Sequence, residues 1–186
     1  MTPVEFGSLW IAGENPRAPC PLICFPQEAV SRRRLLPGDQ SFLTGIGLPE
    51  QAAPFLNFGS KHVLGMPTAA SLFRLDEGED QFPTIGHNGS GDPICIDEAL
   101  GRVIYLNHDN NFSATFINSS IAQLAYSLLA FREALKEANE IAGSGAFLEG
   151  RIPLETVDRF ITKMEEIDAK AIEPDSFWLG AISGRC

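Results

Sequence analysis

Positive charge is what the middle of this chain lacks. From Leu75 to Phe131 the acids are Asp76, Glu77, Glu79, Asp80, Asp92, Asp97, Glu98 and Asp109, against a single base, Arg102. Over all 186 residues, 24 acids face 14 bases, for a formal charge of −10. Non-specific binding to phosphates is supplied by clustered Lys and Arg, so this balance disfavours nucleic acid as a direct ligand. It suits a basic protein instead. Also missing is any apolar run approaching the ~20 residues that span a bilayer. The start carries no basic segment followed by an apolar stretch, so no secretion signal is read there. The expectation is a cytoplasmic protein that does not touch a membrane. Of the four cysteines only Cys20 and Cys24 lie close together, which gives neither a disulfide framework nor the two short ligand pairs of a zinc site. No metal and no cofactor are expected.

Chemistry is thin as well. The run Ile85-Gly-His-Asn-Gly-Ser-Gly-Asp-Pro-Ile-Cys-Ile-Asp97 is rich in glycine, but it lacks the Gly-Lys-Ser/Thr ending and the nearby cation that a phosphate-cradling loop needs. It reads as the entry to a strand. His-Glu-x-x-His is absent, and the histidines are only His62, His87 and His108. The sharpest enzymatic reading is a hydrolase with Cys95 as nucleophile and His87 or His108 as base. Cys95 alternates with Ile94 and Ile96, however, a pattern in which a buried, inert thiol is the commoner outcome. Turn and strand-end roles account for Asp92 and Asp97. No catalytic residue is assigned.

What is present has the size of one domain, 1–186, with an irregular, proline-punctuated extension over 1–20. Leu22 to Phe25 reads as a short strand, and Glu28 to Leu36 as a helical turn whose Arg32, Arg33 and Arg34 form a solvated face. Asp39 is placed to cap a short helix carrying Phe42, Leu43 and Ile46, and strands are read between Phe55 and Leu75. Asp76 to Asp80 is a surface loop. Ile94–Asp97 and Val103–Leu106 form a hairpin, and Ser113–Ile117 a third strand. Ile121, Leu124, Ala125, Leu128, Leu129 and Leu135 recur at helical spacing behind Ser120, whose Gln123 three residues on completes a capping pattern; this helix runs to about Ile141. A second amphipathic helix starts near Pro153, and Phe177 and Trp178 fold back onto the core.

The order Phe42-Leu-Thr-Gly-Ile-Gly-Leu-Pro49, Ile85-Gly86, Gly91-Asp-Pro-Ile-Cys-Ile-Asp97, Gly101-Arg-Val103 and Phe116-Ile-Asn-Ser-Ser120 before a long helix resembles the SUKH superfamily, specifically its fourth subfamily. The resemblance covers about Phe25 to Phe131. It implies an α+β domain with a sheet of five or six strands, mostly antiparallel with some mixed pairing, and helices packed beside it. It also implies a bacterial immunity protein that binds and neutralises a polymorphic toxin, many of which are nucleases or nucleic-acid deaminases. On that reading the partner is a basic cognate toxin met by Asp76, Glu77, Glu79, Asp80, Asp92, Asp97, Glu98 and Asp109, and no reaction is catalysed. The alternative within the same fold is a regulatory or scaffold module for a cellular partner.

Overall fold

The computed structural model describes residues 2–13, 19–75 and 81–184. Its centre is a six-stranded antiparallel meander in the order β3 (Gln51–Ala52), β4 (Leu56–Asn57), β5 (Thr84–His87), β6 (Pro93–Ile96), β7 (Val103–Asn107), β8 (Ser113–Asn118). A separate antiparallel pair joins β1 (Leu22–Ile23) to β2 (Leu48–Pro49). The fold is thus α+β as the sequence implies. Every pairing among these strands is antiparallel, and from β5 to β8 each strand returns to the next through a short connection rather than a helical crossover.

Strand alternation sends side chains to two different cores. Ile94, Ile96, Val103 and Ile117 enter the main core, whereas Cys95, Ile104 and Leu106 join Ala69 in a smaller cluster covered by Phe82 and Phe112. The main core is closed by α5 (Ile121–Ala142), α6 (Leu154–Asp168) and α7 (Phe177–Ile182). Ser120 caps α5 as its sequence suggests, its Oγ accepting from Gln123 N at 3.2 Å. The buried stripe of α5 runs through Ile121, Leu124, Leu128, Phe131 and Ala138, while Leu135 sits at its edge. Phe131 is the hub of the aromatic packing, with ring centroids 5.6 Å from Phe147, 5.5 Å from Phe160 and 5.5 Å from Trp178. Trp178 and Phe177 do fold back onto the core.

Three expectations are corrected. Residues Pro3–Ala12 are a helix, α1, not irregular chain: Thr2 and Glu5 form a reciprocal capping box, and Pro3 occupies the first turn, where its missing N–H costs no helical hydrogen bond. Phe6 and Trp10 are buried, and Arg132 of α5 stacks 4.4 Å from the Trp10 ring centroid while donating to Trp10 O and Leu9 O, so the start of the chain is part of the packed domain. Between Phe55 and Leu75 only β4 is extended; Ala69–Phe73 is a short helix, α4, capped by Thr68. Finally, α3 (Pro37–Gly45) begins behind Leu36 with Pro37 in its first turn, and Asp39 caps a different helix, its Oδ1 accepting from Ile121 N at 3.1 Å. Its other oxygen is buried without a partner, and burial raises its pKa above the ordinary aspartate value.

The arginine triplet is likewise more than a solvated face. It follows α2 (Gln27–Ser31): Arg32 pairs with Glu28, Arg33 donates to Met66 O, and Arg34 pairs with Glu98 at 3.4 Å.

Candidate functional site

The glycine-rich run is a β-hairpin turn. Asn88 organises it: its Oδ1 accepts from Ser90 N at 3.0 Å and Asp92 N at 2.9 Å, and its Nδ2 donates to Asp92 Oδ2 at 2.8 Å. Gly91 takes φ +86°, and at Gly86 a Cβ would lie 2.6 Å from Asn57 O, so glycine is required there for backbone to approach backbone. Asp92 then ties this turn to the end of β7, because its Oδ1 accepts from His108 N at 2.9 Å and lies 2.6 Å from His108 Nδ1. Burial pushes the Asp92 pKa up, but the His108 N–H, the Asn88 amide and the His108 ring outweigh it, and the carboxyl ends below its ordinary value.

The β6–β7 turn has the same logic. Asp97 accepts from Ala99 N at 3.0 Å, Leu100 N at 3.2 Å and Arg102 Nε at 3.0 Å. Glu98 accepts from Arg34 N at 2.9 Å and pairs with the Arg34 guanidinium. Asp92 and Asp97 are buried, and the Glu98 side chain is only 6 % exposed. These three carboxylates therefore point inward and hold turns together. Asp109 differs, its side chain being 85 % exposed at 3.4 Å from His108 Nε2. Asp76, Glu77, Glu79 and Asp80 lie outside the described residues. The short helix Ala69–Phe73 is anchored to the β7–β8 connection, where Phe73 packs edge-on against Phe112 at 5.2 Å.

Cys95 is fully buried, with its Sγ 3.6 Å from Thr84 Oγ1. His87 Nδ1 faces Asn88 O at 3.2 Å, and the His108 ring is engaged by Asp92 and Asp109. The thiol, in other words, occupies a core position between strands, as its isoleucine neighbours suggest. Among the described residues no group of His, Cys, Asp and Glu is placed to hold a metal ion, and no helix is long and apolar enough to cross a membrane.

A buried polar knot lies at the junction of β8 and α5. Asn118 Oδ1 accepts from Trp178 Nε1 at 2.9 Å, while its Nδ2 donates to Ser127 Oγ at 3.0 Å and Asp168 Oδ2 at 3.2 Å. Asp168 also accepts from the Ser119 backbone at 2.6 Å and the Ser119 hydroxyl at 2.9 Å. The partners of Asn118 are side chains up to 60 residues away rather than local backbone.

Nothing in the sequence marks a cleft of about 820 Å³ among the described residues. Its floor is the cross-strand row that includes Tyr105 and Thr115, one wall is the Asn88–Asp92 turn, and the other is Asp175 with α7. Phe55 stands at the rim, 60 % exposed and at φ +60°, backed by Phe147 at 6.1 Å. On its far side lies a shallower apolar depression that includes Phe147 and Leu148.

No curated protein and no solved structure matches the chain. Its residues 7–183 match the family described as SUKH-4 immunity protein. That match spans nearly the whole chain and takes in the second half of α1, both sheets and α7. The chain belongs to the SUKH-4 immunity protein family.

Proposed function

We propose that this protein neutralises a basic toxin of the nuclease or nucleic-acid deaminase class by binding it one to one, without catalysing a reaction. The observation that carries this is the family membership, which implies a toxin-neutralising immunity role. Charge supplies the detail. A toxin that handles nucleic acid presents a basic groove, and a strongly acidic protein complements it.

The acids divide by task in this reading. Asp76, Glu77, Glu79, Asp80 and the exposed Asp109 steer the toxin and meet it. Asp92, Asp97 and Glu98 act indirectly, fixing the turns between β5 and β7 so that the surface they frame is rigid before the partner arrives. Preorganisation lowers the ordering cost of association, and rim charges mainly raise its rate.

The test is stopped-flow association with the toxin encoded next to this gene, at low and at physiological salt. Reversing Asp76, Glu77, Glu79 and Asp80 to lysine should slow association roughly tenfold or more and flatten its salt dependence. An unchanged on-rate would remove this stretch from the contact. Failure of the parent chain to bind that toxin at all would favour a scaffold role with a cellular partner.

A further inference from the structure

The cleft between the Asn88–Asp92 turn and α7 has a chemistry that selects its occupant. Among the described residues lining it there is no lysine or arginine, while Asp92 and Asp175 supply carboxylates. The Asp92 carboxylate is spoken for by Asn88 and His108, whereas Asp175, exposed on the opposite wall, enters no ion pair among the described residues. Aromatic surface lies within the same walls: Tyr105 on the floor, Phe177 edge-on to it at 6.0 Å, and Phe55 at the rim. A carboxylate beside ring faces is an environment that favours a guanidinium or ammonium carried on an apolar stem.

The rim is held in place, not merely left exposed. A Cβ at Gly89 would come within 2.9 Å of Phe55 Cβ, so the turn presses directly against Phe55 and glycine alone permits that approach. An aromatic residue at positive φ is rare and persists only where its surroundings over-determine it. At about 820 Å³ the cleft is also larger than one side chain, and admits the loop that carries it.

We propose that this cleft seats an arginine-bearing loop of the toxin, the guanidinium lying between Asp175 and the rings of Tyr105, Phe177 and Phe55. This assignment rests on the immunity reading for the identity of the partner, but the cleft's preference is a property of this chain alone. Two arms therefore separate the questions.

In the first, the isotopically labelled protein is titrated by NMR with acetyl-Gly-Arg-Gly amide and with the same peptide carrying citrulline, which keeps the shape of arginine and removes its charge. The amides of Ser90, Tyr105, Thr115, Asp175 and Gly180 should shift with arginine, and citrulline should bind at least roughly fivefold more weakly. Asp175→Asn, which removes the charge at a position where Asn tolerates φ +65°, should narrow that difference. Equal responses to the two peptides, shifts located elsewhere, or no shifts would overturn the assignment. In the second arm, Thr115→Lys places a competing cation in the cleft and Phe55→Gly removes the rim ring while suiting its backbone. Each should speed dissociation of the toxin complex about tenfold or more with the melting temperature little changed. Parent-like dissociation of both variants would place the toxin elsewhere and leave the immunity reading standing. A toxin that never binds the parent chain would end the immunity reading, with the peptide arm still deciding the cleft's preference.

Discussion

Replacing Asn118 tests the knot that joins the sheet to all three C-terminal helices. Asn118 is fully buried, and alanine there would leave Trp178 Nε1 without its acceptor and withdraw donors from Ser127 and Asp168. An orphaned buried donor costs about 1–3 kcal/mol and a lost hydrogen bond to a charged group about 1.5–3 kcal/mol, so Asn118→Ala should cost about 3–5 kcal/mol. Against a total stability of about 5–15 kcal/mol that threatens folding. Asn118→Asp separates hydrogen bonding from shape. It preserves the acceptor for Trp178 but sets a second carboxylate where the Asn118 amide now lies 3.2 Å from Asp168 Oδ2. Two such groups share one proton, and the folded state then binds more protons than the unfolded chain, so stability must rise as pH falls. Urea unfolding followed by tryptophan fluorescence near neutral pH and at about pH 5.5 reads both effects. A loss below about 1 kcal/mol for the alanine variant, or equal losses for the aspartate variant at both pH values, would refute the reasoning.

Leu128 is 1 % exposed on the inner face of α5, and Leu128→Ala should cost about 2–5 kcal/mol in the same unfolding assay; a melting temperature within a degree or two of the parent would mean the helix packs differently. Asp92 and Asp39 should show opposite pH signatures. The depressed Asp92 pKa contributes stability that is present above the ordinary value of 3.8 and lost as pH falls through the folded-state value, so the advantage of the parent over Asp92→Asn should shrink on acidification. The raised Asp39 pKa works the other way: the buried charge is a burden above that raised value and is relieved as pH falls, so the parent should gain on Asp39→Asn. Melting temperatures that move in the same direction for both pairs would contradict these assignments.

Periodicity and caps made α5 readable from sequence because both are local: a stripe of apolar residues and Ser120 three positions before Gln123. The hairpin of β6 and β7 and the strand β8 are readable for the same reason, with turn residues between short apolar runs. The first helix was hidden by treating Pro3 as a breaker, although Thr2, Pro3 and Glu5 together spell a helix start. The direction in which a carboxylate points is another matter. Asp97 meets donors within five residues, but Asp92 and Glu98 face donors brought to them by the fold, His108 lying 16 residues after Asp92 and Arg34 lying 64 residues before Glu98. The cleft was illegible for a related reason: its walls come from Phe55, the Asn88 turn and α7, and only the folded sheet sets them side by side.

The central claim is that protection comes from occupancy, not from turnover. It is tested by titrating the purified toxin's activity on its nucleic acid with this protein. Inhibition should be complete at an equimolar ratio, and active toxin should be recovered when high salt or dilution separates the two. Full inactivation by a small fraction of an equivalent, or toxin that stays inactive and chemically altered after separation, would contradict the account.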